Sequence, residues 1–257
     1  MIRLGAFFLL TFGLTWAVWL SPLPVGGPVF YLGVFAPSLV ALALTAMDDG
    51  RAGVARLLAR IGRWDVGARW YVIAVGYMAV LKLLAAVIHR LVAGAWPAFG
   101  ETPWLLMFGA ILVSMWVQAG EEIGWRGYAL PRLTRYLGLG GASVLLGVIW
   151  ALWHLPLFFL PGSGSDDQSF LIYLMYVTTL SVVIGWLYWK TNGSLLLVMV
   201  MHASVNNTNG IVPARLPHAV DVLSLEASVM MWATIGLSAA IAVLLLFRMR
   251  GARLDTP

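Results

Sequence analysis

Long apolar stretches separated by short polar segments run through almost the whole sequence. A helix needs about 20 mainly apolar residues to cross the hydrocarbon core of a bilayer. Eight stretches approach or reach that length, at about residues 4–20, 29–47, 70–92, 104–122, 143–160, 170–189, 194–209 and 228–247. Only 11% of the residues are charged, against about 25% in soluble domains. We therefore predict an all-α, polytopic membrane bundle of eight transmembrane helices, with residues 1–257 forming a single integral membrane domain.

The first stretch has a second interpretation, a signal peptide, because Arg3 precedes an apolar run. Signal peptides end at a cleavage site with small residues, and none stands near Ser21. We therefore interpret residues 4–20 as the first span.

Basic residues lie almost entirely in alternate connections between the spans. With a cytoplasmic N-terminus, the cytoplasmic segments hold Arg3, Arg51, Arg56, Arg60, Arg63, Arg69, Arg126, Arg132, Arg135, Lys190, Arg248, Arg250 and Arg253. The other side holds Arg90, Arg215 and the acidic residues Glu101, Asp166, Asp167, Asp221 and Glu226. Cytoplasmic loops carry an excess of Lys and Arg. This asymmetry predicts that both termini are cytoplasmic, in the plasma or inner membrane.

The longest polar connector, residues 48–69, contains RAGVARLLARIGRW. Its arginines alternate with apolar residues, which is typical of an amphipathic helix on anionic lipid headgroups. A solvated loop with an excess of arginine fits the sequence equally well.

A few ionisable or strongly polar residues fall inside the predicted spans. A charge at mid-helix costs about 2.5–3.5 kcal/mol on insertion scales, so each such residue suggests a function. The fourth span ends in Glu121, Glu122 and Arg126, the fifth holds His154, and the seventh holds His202 and Asn206. We expect these groups at similar depths, in the cytoplasmic half or near the midplane. Lys82 and His89, in or near the third span, are interpreted as structural.

Helical spacing separates the two adjacent glutamates. Glu122 and Arg126 are four residues apart and can pair along one face. Glu121 is rotated by about 100° from Glu122, which leaves it available for chemistry. Trp150 can brace His154, and His202 can stack with Asn206, since each pair has the same spacing of four.

Each group also has a purely structural interpretation. A histidine in a span is often a packing residue, a Glu–Arg pair at a helix end is often an interfacial anchor, and Asn206 could simply end the seventh helix. Three such groups at compatible depths in a nearly uncharged bundle favour a shared site.

These residues also form a family pattern. EEIGWR resembles the EExxxR motif of the CAAX-protease and bacteriocin-processing family of intramembrane endopeptidases, also called the abortive-infection family. WALWH resembles its FxxxH motif, with Trp150 in place of the usual Phe, and HASVN resembles HxxxN. FAPSLVALAL and RWYVIA also look like segments of that family, and the motif-bearing core covers about residues 100–210.

The resemblance implies an eight-helix bundle with a conical cavity open to the cytosol or the membrane. It implies hydrolysis of a peptide bond in a membrane-associated protein or peptide, in the best-known cases the removal of three residues from a prenylated CAAX protein. The catalytic residues implied by position are Glu121, Glu122, Arg126, His154, His202 and Asn206.

Two mechanisms fit this residue set. In the first, which we favour, Glu121 is the general base for water, His154 orients that water, and His202 and Asn206 donate hydrogen bonds to an oxyanion. This mechanism requires no cofactor. In the second, Glu121, His154 and His202 hold zinc as a His₂Glu set. The HExxH spacing of most zinc peptidases is absent.

Other functional classes remain open at this point. A non-catalytic scaffold or bacteriocin-immunity protein could keep the fold, and a small-solute transporter could also bury Glu and His. The sequence has no inverted repeat, which argues against a transporter. The net charge of +5 does not suggest nucleic-acid binding, and the lack of cysteine excludes disulfides. The expected partners are a membrane-associated substrate and the lipid bilayer.

Overall fold

The described part of the chain is helical and contains no β-strand. The structure, a computed structural model, describes residues 2–22, 24–210, 212, 221–252 and 254. Its α-helices are α1 (Ile2–Trp19), α2 (Pro28–Leu58), α3 (Ala68–Ala93), α4 (Trp104–Glu122), α5 (Leu130–Trp153), α6 (Phe170–Lys190), α7 (Leu195–Asn207) and α8 (Val229–Arg248). The prediction of an all-α fold is confirmed.

Among the described residues, six helical stretches are long and apolar enough to cross a membrane, so the chain is a multi-pass membrane protein. Trp104–Phe159 counts as one of the six, because α4 and α5 join without a loop. The α7 helix has 13 residues and is shorter than a full span. The eight helices match the eight predicted segments in order, but eight separate membrane crossings remain a prediction.

A π-helical segment, Ile123–Ala129, joins α4 to α5. The helical path therefore continues past Glu122, the last residue of the predicted fourth span. The helical path continues to Gly138, where the backbone adopts φ 65° and ψ 170° and the chain changes direction. A residue with a side chain is strained at such a positive φ, whereas glycine is not. The remainder of α5 then returns towards His154.

The basic connector is helical at its start but packs on the protein. Gly50, with φ 62°, breaks α2, so a short separate helix covers residues 51–58. Arg60 is buried and donates to the Tyr188 hydroxyl over 2.5 Å, and Arg63 donates to the carbonyl of Asn192. These two arginines therefore bind protein groups, which neither the lipid-bound helix nor the solvated loop predicted.

Close backbone contact between α2 and the π segment fixes the position of the EEIGWR motif. A Cβ added to Gly124 would lie 2.5 Å from the carbonyl carbon of Pro37, closer than any real contact. Next to it, the Ser38 hydroxyl donates to the Ala119 carbonyl over 2.6 Å. The FAPSL segment thus packs directly on the motif, and Gly124 makes that approach sterically feasible.

Apart from Lys82 and the buried Arg126, basic residues are concentrated at one end of the bundle. The basic end contains the starts of α1, α3 and α7, the bend at Gly138 and the ends of α2, α6 and α8. The acidic end contains the connections 94–103, 160–169 and 221–228. Among the described residues, Arg90 is the lone Arg or Lys near the acidic end. Arg215, also expected there, and Arg253, expected at the basic end, lie outside the described residues.

We predict that the basic end faces the cytoplasm, as the positive-inside rule requires. The natural chain has no cysteine, so a single introduced thiol reports its own side of the membrane. Arg135→Cys at the basic end and Leu223→Cys at the acidic end both replace exposed side chains. An impermeant maleimide applied to intact cells should label Leu223→Cys at once and Arg135→Cys only after permeabilisation. The reverse pattern would invert the topology.

Candidate active site

One cavity of about 340 Å³ brings together side chains from all three motifs. Glu121 at the end of α4, His154 just after α5, and His202 and Asn206 on α7 all line it, together with Trp150. These residues are separated by up to 85 positions in the sequence. The expected convergence of three helices on one pocket is therefore present.

Trp150 contacts most of the polar groups in this cavity. Its indole Nε1 donates a hydrogen bond of 2.6 Å to Glu121 Oε2. Its carbonyl accepts a hydrogen bond of 2.9 Å from His154 Nδ1. The indole also packs edge-on against the His202 ring, with 5.1 Å between ring centroids. The sequence suggested Trp150 only as a brace for His154, and its bond to Glu121 was not foreseen.

Glu122 lies behind the cavity, in a fully buried cluster. Arg126 Nη1 donates to both carboxylate oxygens of Glu122, at 2.8 and 3.0 Å. His202 Nδ1 donates to Glu122 Oε1 at 2.8 Å. The guanidinium also lies over the Trp150 ring, 4.3 Å from its centroid. As the spacing of four residues suggested, Glu122 pairs with Arg126, whereas Glu121 faces a different partner and the cavity.

The hydrogen bonds at Nδ1 determine what the two imidazoles offer to the cavity. A carbonyl or carboxylate oxygen accepts, so Nδ1 carries a proton in both His154 and His202. In a neutral ring, Nε2 is then an acceptor. His202 can therefore donate from Nε2 to an oxyanion only as the imidazolium. The hydrogen bond from its Nδ1 to the Glu122 carboxylate is compatible with that form. The sequence did not reveal this condition.

Asn206 lines the cavity and is exposed. Its side chain has no hydrogen-bond partner among the described residues. The adjacent Asn207 instead has a structural role, since its amide donates to the Ser114 hydroxyl and the Ala203 carbonyl, both over 2.8 Å. The Asn206 amide is therefore the one able to bind a ligand.

Sequence reasoning missed several polar residues that line the same cavity. Tyr173 packs edge-on against His154, with ring centroids 5.4 Å apart. Lys82 and Asn209 lie further along the wall. Tyrosine and asparagine in apolar helices are too common to signal a site. Lys82 carried the one usable signal, a charge within a span, but its partner could not be read from the sequence.

The described residues contain no group of three His, Asp or Glu side chains placed to hold a metal ion. Glu121 Oε2 is bound by Trp150, and the imidazoles approach the cavity from different helices. The metallopeptidase interpretation, with Glu121, His154 and His202 as ligands, therefore gains no support from the described residues.

The cavity extends from the motifs towards the acidic end. Its wall includes Ser165, Gln168 and Glu226, which lie in connections at that end. If the basic end is cytoplasmic, this part of the wall lies nearer the opposite side of the membrane. The orientation of the bundle and the side that the site faces both remain predictions.

Comparison with known proteins identifies the motif-bearing region. Residues 100–208 match the family model described as type II CAAX prenyl endopeptidase Rce1-like. The motif-bearing region is therefore similar to that of CAAX proteases. A curated relative, "CAAX prenyl protease 2" of Methanococcus maripaludis, is 35% identical over 92 residues. The alignment covers 34% of this chain, and the chain spans about a third of the relative's length (34%).

The matched region contains all three motifs and every residue assigned to the site from the sequence. The resemblance of this chain to CAAX proteases is thereby confirmed. Helices α1–α3 and α8 lie outside the match, although α3 contributes Lys82 and α8 contributes Met231 and Thr234 to the cavity wall. The helices outside the match thus shape part of the pocket.

Loss of one partner of the buried Glu122–Arg126 pair should be strongly destabilising, because it leaves an unpaired charge in the core. We expect Glu122→Gln to cost about 3–5 kcal/mol, measured by thermal unfolding in detergent. Asp48→Asn is the matched control, since it removes a 2.8 Å pair with Arg3 that is partly exposed, worth about 0–1 kcal/mol. Equal losses in the two variants would contradict the structural role of Glu122.

Proposed function

We propose that this protein is an intramembrane endopeptidase that hydrolyses a peptide bond in a membrane-associated protein or peptide, with a prenylated CAAX-like segment as the expected substrate. The main support is that Glu121, His154, His202 and Asn206 line one cavity, inside a region that matches CAAX endopeptidases. A scaffold that had lost catalysis would not need these groups to face a common space.

Glu121 has the geometry expected of a general base. Its Oε2 accepts from the Trp150 indole, which fixes the direction of the carboxylate. Its Oε1 makes no hydrogen bond to the described residues and is available to a water molecule. In the proposed step, this oxygen takes a proton from the water as the water oxygen attacks the substrate carbonyl carbon. The same proton then passes to the leaving nitrogen when the carbon–nitrogen bond breaks.

His154 is proposed to orient this water. Because its Nδ1 is held by the Trp150 carbonyl, the ring presents Nε2 as an acceptor. An acceptor at this position binds one hydrogen of the water while Glu121 takes the other. The water oxygen then keeps its lone pair for the substrate.

Asn206 and His202 are proposed to stabilise the oxyanion that forms on the carbonyl oxygen. Removal of one such donor typically costs about 10²–10³-fold in kcat. Asn206 offers its amide N–H directly, and His202 offers Nε2–H in the imidazolium form. Glu122 and Arg126 do not line the cavity, so we assign them a positioning role, with Glu122 holding the His202 ring.

This mechanism uses no metal. The nucleophile is activated by a carboxylate, and the negative charge is met by hydrogen-bond donors. A cavity with polar side chains inside an apolar bundle would admit the water that the surrounding lipid excludes.

Replacement of Glu121 tests the proposal. Glu121→Gln keeps the shape and the acceptor for Trp150 but removes the base, so we expect cleavage to fall by about 10²–10⁴-fold. The assay uses purified protein in liposomes with an S-prenylated cysteine peptide carrying three apolar residues after the cysteine, and detects products by mass spectrometry. Glu101→Gln, which alters an exposed carboxylate in a connection at the acidic end, should leave the rate unchanged.

Two results would contradict the proposal. Cleavage at the wild-type rate by folded Glu121→Gln would remove this residue from the chemistry. An intact peptide after incubation with folded wild-type protein would argue against an endopeptidase of this specificity and would favour a non-catalytic role.

A further inference from the structure

Lys82 is a buried cation on the wall of the same cavity. It lies in α3, its residue is 4% exposed, and it lines the pocket that contains Glu121. Its Nζ donates to the side-chain oxygen of Asn209 and, over 3.0 Å, to the Val212 carbonyl. Both acceptors are neutral.

No carboxylate compensates this charge among the described residues. None of the ion pairs with a nitrogen–oxygen distance of 4.0 Å or less among the described residues includes Lys82. Glu226 lines the same cavity but is not within that distance of Nζ. A lysine ammonium has three N–H donors, of which two are used here. Burial of an unpaired charge is costly, so the third donor and the charge together favour an anionic ligand.

The separation between Lys82 and the proposed catalytic groups corresponds to a particular length of bound peptide. Its partner Asn209 follows His202 by seven residues along α7 and the 3₁₀ turn Thr208–Gly210. Helical rise places the two residues roughly 11 Å apart. Three residues of extended peptide span roughly 10 Å. A peptide whose scissile bond lies at His202 thus reaches Lys82 with about its third following residue.

The cavity wall around these polar groups is largely apolar. Ile172, Val177, Leu180 and Val205 line it. A volume of about 340 Å³ lies at the lower end of the range for small-ligand pockets and holds a few residues rather than a folded domain. Apolar side chains followed by a terminal anion suit this lining.

We propose that Lys82 binds the C-terminal carboxylate of the substrate and thereby sets the cut about three residues from the chain end. The proposal rests on the proposed endopeptidase function for its distance and specificity. Binding of the carboxylate itself requires no catalysis and can be measured separately.

A binding experiment tests the anion site without turnover. The protein carries Glu121→Gln so that the peptide stays intact, and the probe is a fluorescent, S-prenylated cysteine peptide with three apolar residues and a free C-terminal carboxylate. Its C-terminal amide is the matched probe. We expect the carboxylate to bind at least ten-fold more tightly than the amide. Addition of Lys82→Met should abolish this preference, whereas Lys82→Arg should retain part of it.

Lys190→Met is the control, because Lys190 is the other lysine of the chain, is exposed and lies at the basic end. It should keep the full preference for the carboxylate. Two results would overturn the proposal. One is that the protein with Lys82 intact binds the carboxylate and the amide peptides equally well. The other is that the folded Lys82→Met protein prefers the carboxylate peptide as strongly as before. Lys82 would then be paired structurally with Asn209 and Val212 alone.

A cleavage experiment separates the two proposals. If the wild-type chain with Glu121 cuts the carboxylate peptide, Lys82→Met should reduce kcat/KM at least ten-fold, and peptides extended by one residue should shift the cut by one residue towards the C-terminus. Cuts that stay at a fixed distance from the cysteine would contradict the measuring role of Lys82. Selective binding of the carboxylate with no cleavage would support the anion site and contradict the endopeptidase.

Discussion

The hydrogen bond from the Trp150 indole to Glu121 is the interaction on which the rest of the site depends. A carboxylate in an apolar bundle is costly unless it is hydrogen-bonded, and this donor lies on a different helix from the acid. The same tryptophan anchors His154 through its carbonyl, packs against His202 and lies beneath the Arg126 guanidinium. The Trp150 side chain and its carbonyl thus contact residues of all three motifs. Because the indole is rigid, it fixes α5 relative to both α4 and α7.

Behind this tryptophan, a buried charge pair and a close backbone contact hold the end of α4 and the π segment. The ion pair of Glu122 with Arg126 stands in the π-helical region, where Gly124 lets α2 approach. Irregular turns of this kind often occur at functional sites, because they redirect side chains from their usual helical positions. The two adjacent glutamates then serve two purposes: Glu122 holds His202 from behind, and Glu121 reaches the cavity.

The sequence predicted the parts of this arrangement that follow from local rules. The order of the helices follows from apolar length, the pairing of Glu122 with Arg126 follows from their spacing, and the convergence of His154 and His202 follows from depth. The donor to Glu121 was not predictable, because an indole N–H in an apolar helix has no sequence signature of its partner. The extension of the cavity towards the acidic end was also not predictable, because its wall there includes residues of connections such as Gln168 and Glu226. Lys82 was dismissed because its neutral acceptors, Asn209 and Val212, follow a helix four spans away in the predicted order.

The most direct test of the central claim is to remove the indole donor while keeping an aromatic ring. Trp150→Phe eliminates the N–H that binds Glu121, and Trp153→Phe, one turn away, eliminates a similar buried N–H that binds the Thr15 hydroxyl. Cleavage of the prenylated peptide should show a kcat reduced at least ten-fold in Trp150→Phe with little change in KM, and near-normal kcat in Trp153→Phe. A wild-type kcat in folded Trp150→Phe would contradict the account, because Glu121 would then need no fixed partner to act.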